Sequence, residues 1–598
     1  MTTASVSSIA AGLLRTFNEA GVLAVPDVQV ARRVGYLVDP SAPDSVLLAF
    51  ALTVRALRLG AVALDSSRIP SLVEASLETP PQQPLPWPEP GPWLASLQTS
   101  PLVTVGADQP GRRPLRLVDG LLYLERHWAE QELVRRELLR RSQTRPPVAD
   151  PAAVARRAAE ISAGDLLPDG EVNLQAEAAR NVVQSWVTVL AGGPGTGKTT
   201  TVARALALVA AELGRPPTVA LAAPSGRAAA RLQEAVHHAV ARLPVPEPVR
   251  QALAQTQATT VHRLLGYRNR SYARTAADPL PHEVVVVDEL SMVSLSLMAN
   301  LLPAVREDAR IILVGDPEQL APVEAGAVLA DITAAIEEAA TSPLPLVRLR
   351  HTWRYDGEIQ RLADLIRAGE PEPALDLLRR GEQVRLIPLD DHGLVADLTD
   401  VIQVAQQAGA QADAAARAGQ VDEALKALGR HRVLCAHRNG PYGASTWARL
   451  VEQWVQQVLG EQHRGEWYVG RPLLVTKNDV DLGIANGDAG IIVATPAGPR
   501  AAFERGLEPL LLPPAQLIDV ETMHAITIHK AQGSQFEEVT VVLPPLPSAL
   551  LTRELLYTAV TRATTRVRVV AHPEAFVAAV TTRALRASGL RSRLLAPS

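Results

Sequence analysis

Short apolar runs alternate with stretches of helical periodicity in two parts of the chain. The runs consist almost entirely of Val, Ile, Leu and Ala, which predicts central strands of parallel sheets covered by helices on both faces. They lie at 187–191, 219–223, 284–287 and 311–314 in the first part, and at 433–436, 539–543 and 567–570 in the second. The pattern therefore predicts two α/β domains, over residues 165–345 and 346–598.

A different pattern precedes these domains. Apolar residues recur at helical spacing up to about residue 77, and seven prolines then fall between residues 80 and 92, where we expect an extended surface connector. Residues 115–127 predict a β-hairpin around Asp119-Gly120, and a helix follows from about Trp128 to Arg141. We therefore expect a mainly helical N-terminal domain over residues 1–150.

Two segments interrupt the α/β pattern. Residues 440–523 are richer in Gly and Pro and contain β-like runs at 472–476 and 490–494, which predicts a small β-rich insertion in the second domain. Residues 266–282 are polar and basic, with Arg268, Arg270 and Arg274. This second segment predicts either a small subdomain or hairpin that could split nucleic-acid strands, or a plain surface loop.

Charge and cysteine content exclude several classes of protein. The 598-residue chain has a formal net charge of −4, so a nucleic-acid site must be a local basic path. The single cysteine, Cys435, excludes a disulfide framework and a four-cysteine zinc site. No run of 18 or more apolar residues occurs, so we expect a soluble cytoplasmic protein without a membrane partner.

Lysine is rare in this chain. Lys and Arg total 59, but only four of them are lysines: Lys198, Lys426, Lys477 and Lys530. A common magnesium nuclease core places an acidic residue two positions before a lysine. The residues at that spacing here are Thr196, Ala424, Val475 and Ile528, so the sequence predicts that this chain has no nuclease site of that type.

A phosphate-binding loop follows the first predicted strand. Residues 192–199 read GGPGTGKT, which fits the P-loop pattern, and a helical stretch continues to residue 213. Backbone N–H groups of such a loop face phosphates at the positive end of the helix, Lys198 reaches the β and γ phosphates, and Thr199 binds Mg²⁺. The candidate nucleotide-binding residues are Gly192, Gly193, Pro194, Gly195, Thr196, Gly197, Lys198, Thr199 and Thr200.

An acidic pair follows another apolar run. Asp288 and Glu289 come directly after the run at 284–287, whose carboxyl end should lie beside the phosphate loop. Asp288 is placed to bind Mg²⁺ through water, and Glu289 to activate the attacking water. Together with Lys198, the pair predicts hydrolysis of a nucleoside triphosphate.

Further segments occur in a fixed order along the chain: 173–175, 222–229, 260–266, 315–320, 352–355, 525–534 and 554–563. In this order they resemble the Q motif and motifs Ia, Ib, III, IV, V and VI of superfamily-one DNA helicases, specifically of the RecD family. RecD is the alpha chain of the RecBCD enzyme, exodeoxyribonuclease V. The resemblance covers residues 165–598 and implies two RecA-like P-loop domains with an SH3-like insertion in the second.

The resemblance also implies roles for individual residues. Gln175 would read adenine, Gln319 would couple the γ-phosphate to DNA, and Arg354 and Arg562 would reach across the cleft to the phosphates. Gln535 stands where the family usually has Glu, which puts its contact with the nucleotide sugar in doubt. The implied DNA-binding residues are Pro224, Ser225, Gly226, Arg227, Thr260, His262, Arg263, Thr527, His529 and Lys530.

The implied activity is ATP-dependent 5′–3′ translocation on single-stranded DNA and unwinding of broken double-stranded ends. RecB-like and RecC-like partners would complete a heterotrimer for double-strand break repair and homologous recombination, with the nuclease on a partner chain and residues 1–150 as the docking domain. The alternatives are a stand-alone RecD-type helicase, an interaction subunit with an idle ATPase, and a non-translocating P-loop ATPase. Intact Lys198, Asp288 and Arg562, together with motifs Ia, III and V, favour a motor.

Overall fold

The computed structural model describes residues 7–77, 83–148, 150–162, 173–339, 341–351, 357–389, 397–460, 465–479, 481–504, 508–584 and 586–596. Within these ranges the strands form four sheets, of which two are parallel and belong to the α/β domains. No helix in the described ranges is both long enough and apolar enough to cross a membrane.

The N-terminal region contains the predicted helices and also a small sheet. Its helices are α1 (Gly12–Glu19), α2 (Val25–Val38), α3 (Asp44–Arg58), α4 (Ile69–Ala75), α5 (Pro90–Thr99) and α6 (Glu125–Ser142). Its strands are β1 (Ala63–Asp65), β2 (Val103–Val105), β3 (Leu115–Val118) and β4 (Leu121–Leu124), in the order β1-β4-β3-β2. Strand β1 lies in the stretch predicted as helical, so the purely helical expectation for residues 1–77 is wrong there.

Two details of this region follow from turn and proline chemistry. The β3–β4 hairpin has its predicted Asp119-Gly120 turn, with φ of 49° and 77°, as a two-residue hairpin turn requires. Helix α5 begins at Pro90, inside the proline-dense stretch that was expected to exclude helix. Proline is tolerated in a first helical turn because its missing N–H has no partner there in any case.

The first α/β domain is built on a six-stranded parallel sheet. Its strands are β5 (Val187–Gly192), β6 (Val219–Ala223), β7 (Ala258–Thr260), β8 (Val284–Val287), β9 (Arg310–Gly315) and β10 (Leu346–Leu349), in the order β10-β5-β9-β8-β6-β7. Its helices are α7 (Pro151–Ile161), α8 (Leu174–Gln184), α9 (Lys198–Leu213), α10 (Gly226–Ala241), α11 (Glu247–Ala254), α12 (Val261–Leu264), α13 (Leu295–Ala304) and α14 (Val328–Glu338). The predicted central strands are confirmed.

Both faces of this sheet are buried, which explains the fully apolar runs. Alternate strand residues such as Leu190 and Val286 pack with α8, α9 and α10, whereas Val189 and Val287 pack with α13, α14 and α6. Helix α7 belongs to the first of these clusters through Val154. The domain therefore includes a helix that precedes the predicted start at residue 165.

The second α/β domain has a five-stranded parallel sheet in the order β11-β20-β19-β12-β18. These strands are β11 (Val384–Pro388), β12 (His431–Cys435), β18 (Ala525–Thr527), β19 (Phe536–Val542) and β20 (Ala563–Ala571). The helices are α15 (Glu358–Ala368), α16 (Pro371–Arg380), α17 (Thr399–Arg417), α18 (Val421–Ala427), α19 (Ala444–Leu459), α20 (Arg553–Val560) and α21 (Pro573–Thr581). A further helix, α22 (Leu590–Leu595), packs on α6 and α14 instead, so it does not belong to the second domain as predicted over 346–598.

The insertion in this domain is a separate antiparallel sheet. Its strands are β13 (Pro472–Val475), β14 (Ala489–Val493), β15 (Arg500–Phe503), β16 (Leu510–Leu512) and β17 (Val520–Thr522), in the order β16-β15-β14-β13-β17. Helix α19 lies in the first part of the predicted insertion, 440–523, but Trp447 and Val451 pack in the core of the α/β domain. The β-rich unit therefore starts near residue 472.

The basic segment at 266–282 is much smaller than a subdomain. Arg268 and Ser271 exchange two backbone hydrogen bonds of 2.9 Å around Asn269 and Arg270, which both have positive φ. The rings of Tyr267 and Tyr272 flank this turn with centroids 4.9 Å apart. Residues 267–272 form a tight hairpin turn against the first α/β domain, and a second turn follows in which the Thr275 N–H donates to the Asp278 carbonyl oxygen (3.1 Å).

Candidate nucleotide and DNA site

The phosphate loop lies between β5 and α9 at the carboxyl edge of the first parallel sheet. Gly195 and Gly197 have φ of 80° and 83°, so the loop needs residues that adopt the left-handed region without strain. The Lys198 ammonium donates to the carbonyl oxygens of Gly192 (2.8 Å) and Gly193 (2.9 Å), and the Thr196 hydroxyl donates to Gly193 (2.9 Å). Thr199 and Thr200 lie in the first turn of α9, directly after Lys198.

Two carboxylates face this loop from neighbouring strands, and of these Asp316 is buried and Asp288 is half-buried. Asp288 follows β8 and accepts from the Glu289 N–H (2.8 Å), and Asp316 follows β9. Burial, together with the Glu289 carboxylate, raises the pKa of Asp288 to about 6, and burial also raises the pKa of Asp316. The positive charge of Lys198 opposes both pKa shifts, which places its ammonium near both acids.

The donor set at this edge fits a magnesium ion. Mg²⁺ prefers hydroxyl and carboxylate oxygens, and a buried carboxylate beside a second acid is a costly arrangement that a divalent cation relieves. Asp288 and Thr199 supply such oxygens. Glu289 adopts a left-handed conformation with φ of 51°, which is uncommon for a residue with a long side chain and typical of functional sites.

The loop after β9, residues 316–327, is named here the motif III loop, and it connects the two domains. Gln319 is buried, and its side-chain amide nitrogen donates to Asp316 (3.0 Å). Its side-chain amide oxygen, Oε1, has no hydrogen-bond partner among the described residues. The Leu320 N–H donates to the Thr558 hydroxyl (2.8 Å), and the Gln532 amide donates to the Leu320 carbonyl (2.7 Å). The sequence-predicted coupling residue Gln319 therefore lies between the acids and the second domain.

A tyrosine that sequence reasoning did not select adds to this connection. The Tyr557 hydroxyl on α20 donates to Asp316 (3.2 Å) and lies close to Gly193 of the phosphate loop. Burial and the Asp316 carboxylate raise the pKa of Tyr557, so the hydroxyl stays protonated. Its position within the segment 554–563 was the available signal, but no spacing rule links it to Asp316.

Arg562 lies at the end of α20, on the second domain's side of the cleft. It is 3% exposed, and its guanidinium donates to the carbonyl oxygens of Thr558 (3.0 Å) and Ser534 (3.3 Å). Both acceptors are neutral carbonyl oxygens. They hold the Arg562 side chain in place, and neither compensates its positive charge. Gln535 follows Ser534 and precedes β19.

The residues assigned to DNA by the motifs lie at the same sheet edge, farther from the phosphate loop. Pro224 follows β6, the Ser225 hydroxyl caps α10 by accepting from the Ala228 N–H (3.2 Å), and Gly226 packs near Ala485 of the insertion. Thr260 caps α12 by accepting from the Arg263 N–H (3.2 Å). Ser225 and Thr260 therefore order two loops that begin where β6 and β7 end.

Two arginines of α10 reach the second domain. Arg227 donates to the Ser534 hydroxyl (2.5 Å) and Arg231 donates to the Gly533 carbonyl (2.6 Å). Burial lowers the pKa of both, to about 10 for Arg231. On the other side, the His262 ring packs edge-on against Tyr267 with centroids 5.5 Å apart, and Arg263 is exposed.

The segment 525–534 presents its three assigned residues differently. The Thr527 hydroxyl accepts from the Lys530 N–H (3.3 Å), and the Lys530 ammonium pairs with Glu521 (3.1 Å). His529 is largely buried, and burial with the nearby Arg586 charge lowers its pKa to about 4. At neutral pH His529 is therefore uncharged and offers a hydrogen bond rather than an ionic contact.

The remaining assignments lie elsewhere or outside the described part. Gln175 is on α8, buried, and accepts from Arg204 (2.5 Å) of α9. Arg354 lies outside the described residues. Of the other lysines, Lys477 pairs with Asp519 (2.7 Å) and Lys426 with Glu423 (2.9 Å), both at the surface.

Comparisons with known families cover three parts of the chain. Residues 19–123 match the N-terminal domain of RecBCD enzyme subunit RecD, residues 172–389 match an AAA domain, and residues 522–570 match a UvrD-like helicase C-terminal domain. The chain is also 47% identical to the RecBCD enzyme subunit RecD of Mycobacterium tuberculosis, over 98% of this chain and 97% of that protein. The chain belongs to the RecD family.

Two further matches are more distant. The ATP-dependent RecD2 DNA helicase of Deinococcus radiodurans is 31% identical over 64% of this RecD-family chain, but the match spans 46% of that protein. The crystal structure of Bacteroides Pif1 bound to ssDNA matches 68% of this chain and 92% of that chain, at 17% identity and a TM-score of 0.38. The family models, and not this structural match, confirm the expected P-loop helicase domains and identify the N-terminal region as a RecD N-terminal domain.

Proposed function

We propose that this RecD-family chain is an ATP-dependent 5′–3′ single-stranded DNA translocase and helicase, acting as the RecD subunit of a RecBCD-type complex. The observation that carries the proposal is that the two domains meet beside the phosphate loop, where the Tyr557 hydroxyl of the second domain donates to Asp316 of the first. In the proposed nucleotide site the first domain would supply Lys198, Asp288 and Gln319, and the second would supply Arg562.

The residues of the first domain bind and position the triphosphate. Lys198 would exchange its bonds to the two loop carbonyls for phosphate oxygens, and the N–H groups at the start of α9 would bind them as well. Thr199 and Asp288 would hold Mg²⁺, which would neutralise charge on the β and γ phosphates. Glu289 lies beside Asp288 and would accept the proton of the attacking water.

The second domain would respond to the γ-phosphate through charge. The hydrogen-bond acceptors of Arg562 among the described residues are neutral, so a phosphate dianion would attract its guanidinium and close the cleft. Loss of the γ-phosphate would remove that attraction. The motif III loop is hydrogen-bonded to Thr558 and Gln532 of the second domain, so it would respond when the cleft closes or opens. The same motion would shift the second domain relative to the first domain's loops at Ser225 and Thr260. Alternating contact with DNA would then become stepping.

The choice of a subunit over a stand-alone helicase is supported by sequence similarity. This chain is 47% identical to a protein named RecBCD enzyme subunit RecD, but 31% identical to one named ATP-dependent RecD2 DNA helicase. We therefore propose RecB-like and RecC-like partners, with the nuclease on a partner chain. Broken double-stranded ends would be the substrate of the assembled complex.

The test is ATP hydrolysis by the purified chain with and without single-stranded DNA, followed by unwinding of duplexes with 5′ or 3′ tails. We expect DNA-stimulated hydrolysis that EDTA abolishes, and unwinding from 5′ tails. Hydrolysis that is independent of DNA would contradict the motor, and unwinding only from 3′ tails would contradict the polarity. Robust unwinding without partners would favour the stand-alone alternative.

A further inference from the structure

The chain returns to the first domain after it has completed the second. Helix α21 packs in the core of the second domain through Phe576 and Val580. The chain is still bonded to that domain just after the helix, because the Thr582 carbonyl accepts from the Arg553 N–H (2.8 Å) and the Ala584 N–H donates to Glu554 (2.9 Å). These contacts fix the point where the chain leaves the second domain.

Residues 586–595, named here the C-terminal strap, contact the N-terminal region and the first α/β domain. The Ala587 carbonyl accepts from the N–H groups of Val62 (2.9 Å) and Ala63 (3.1 Å), at the start of β1. The Gly589 N–H donates to the Gln131 side chain (3.1 Å) on α6. Helix α22 then packs on α14 and α6, with Leu590 only 1% exposed in the core of the first domain.

Arg586 is the strap residue that contacts the nucleotide-coupling machinery. Its guanidinium donates to the Pro322 carbonyl (2.6 Å) of the motif III loop. It also lies against Gly60, where an added Cβ would be 3.0 Å from the guanidinium carbon. The Gly60 carbonyl accepts from the Gly326 N–H (3.1 Å), so the N-terminal region and Arg586 hold the same loop. The Arg586 charge also acts on His529 in the segment 525–534.

The length of chain between these anchors limits how the domains can separate. Ala584 is bonded to the second domain, and Ala587 is bonded to the N-terminal sheet three residues later. Three extended residues span at most about 11 Å. The chain also passes from the first domain to the second between β10 and α15, which makes a second connection. The cleft can therefore open only by a rotation of one domain that leaves both connections nearly in place.

We propose that Arg586 is a positioning residue for the motif III loop, and that the short C-terminal strap transmits nucleotide-driven closing of the cleft to the N-terminal domain. This inference rests on the proposed motor function. It gives residues beyond the last helicase motif a role in coupling ATP hydrolysis to domain movement. It also makes the N-terminal domain, the proposed docking region, sensitive to the nucleotide state of the motor.

The first test replaces Arg586 and a matched strap residue in the full chain. Arg586→Ala should lower the kcat of DNA-stimulated ATP hydrolysis at least fivefold, with the KM for ATP changed less than twofold and the melting temperature lowered by no more than that of the control. The control is Arg591→Ala, which removes an exposed ion pair with Glu338 on the same strap. Arg586→Lys keeps a cation and should restore part of the rate. Equal behaviour of Arg586→Ala and Arg591→Ala would overturn the positioning role.

The second test lengthens the strap without removing any of its contacts. Six Gly/Ser residues inserted after Ala584 should reduce DNA stimulation of hydrolysis at least threefold, because the anchors can reform but no longer move together. The control is the same insertion after Gly498, in the exposed turn between β14 and β15. Unchanged DNA stimulation after the Ala584 insertion would overturn the strap. Failure of the motor proposal is distinct, since the unmodified chain would then show no DNA stimulation at all.

Discussion

The two parallel sheets of this protein present different chemistry at their carboxyl edges. The first ends in a P-loop and two strand-end acids, so its proposed phosphate ligands are backbone N–H groups and the nearby Lys198. In the described residues the second sheet has no such loop and offers side chains instead, above all Tyr557 on α20 and Arg562 just after that helix. In the proposed site the first sheet therefore supplies most of the nucleotide-binding groups, whereas the second contributes only when it is correctly placed across the cleft.

The largest expected effect comes from the binding side of this comparison. Lys198→Ala removes the ammonium that we propose neutralises the phosphates, and we expect the kcat for ATP hydrolysis to fall by about 10³-fold or more, with weaker ATP binding as well. Steady-state hydrolysis and binding of a fluorescent ATP analogue would measure both effects. The matched control is Lys426→Ala, because Lys426 makes only a surface ion pair with Glu423. Retention of a tenth of the wild-type rate would contradict the binding role.

Arg562 tests the second sheet, whose contribution should depend on where its side chains lie across the cleft and not on how tightly they bind ATP. Arg562→Ala should lower kcat by about 10²- to 10³-fold while the KM for ATP changes only a few-fold, because the arginine acts mainly on charge in the transition state. Arg562→Lys should recover little, since an ammonium lacks the planar fork. Arg566→Ala, at an exposed position on β20, serves as the control. A large rise in KM with kcat intact would make Arg562 a binding residue and remove the contrast between the sheets.

The smallest of the three effects should come from the contact that joins the two sheets. Tyr557→Phe removes the hydroxyl that donates to Asp316 but keeps the ring, so it should cost about 1–1.5 kcal/mol of coupling, or about tenfold in DNA-stimulated hydrolysis. DNA-independent hydrolysis should change much less. The ratio of the two rates is the measurement, with Tyr36→Phe on the exposed face of α2 as control. Equal loss of both rates would show that Tyr557 acts in the chemical step and not in coupling.

The same contrast explains what the sequence could predict. Strands β6 and β8 were predicted to the residue because fully apolar runs bounded by polar or turn residues leave no alternative. Strand β1 was missed because three residues after an amphipathic helix carry no detectable alternation. Helix α19 was missed although Trp447 and Val451 recur at helical spacing, because the surrounding glycines and prolines dominated the prediction.

The first domain's nucleotide-site residues were accessible from sequence because they are local: a loop, its helix, and acids at the ends of adjacent strands. The contacts across the cleft between the two domains could not be predicted from the sequence. Tyr557 and Asp316 are 241 residues apart, and Arg586 and Pro322 are 264 apart. Their meeting depends on how two separate sheets are oriented, which no local pattern encodes.

The position of α22 also has a consequence for biosynthesis. Leu590 completes an apolar core that includes Trp128 and Ile332, which are synthesised more than 250 residues earlier. The first α/β domain therefore keeps part of its core exposed on the ribosome until the entire second domain has been translated. Such a chain depends on protection of that surface during synthesis, and a stop codon just after α21 should yield an aggregation-prone product even though both parallel sheets are complete.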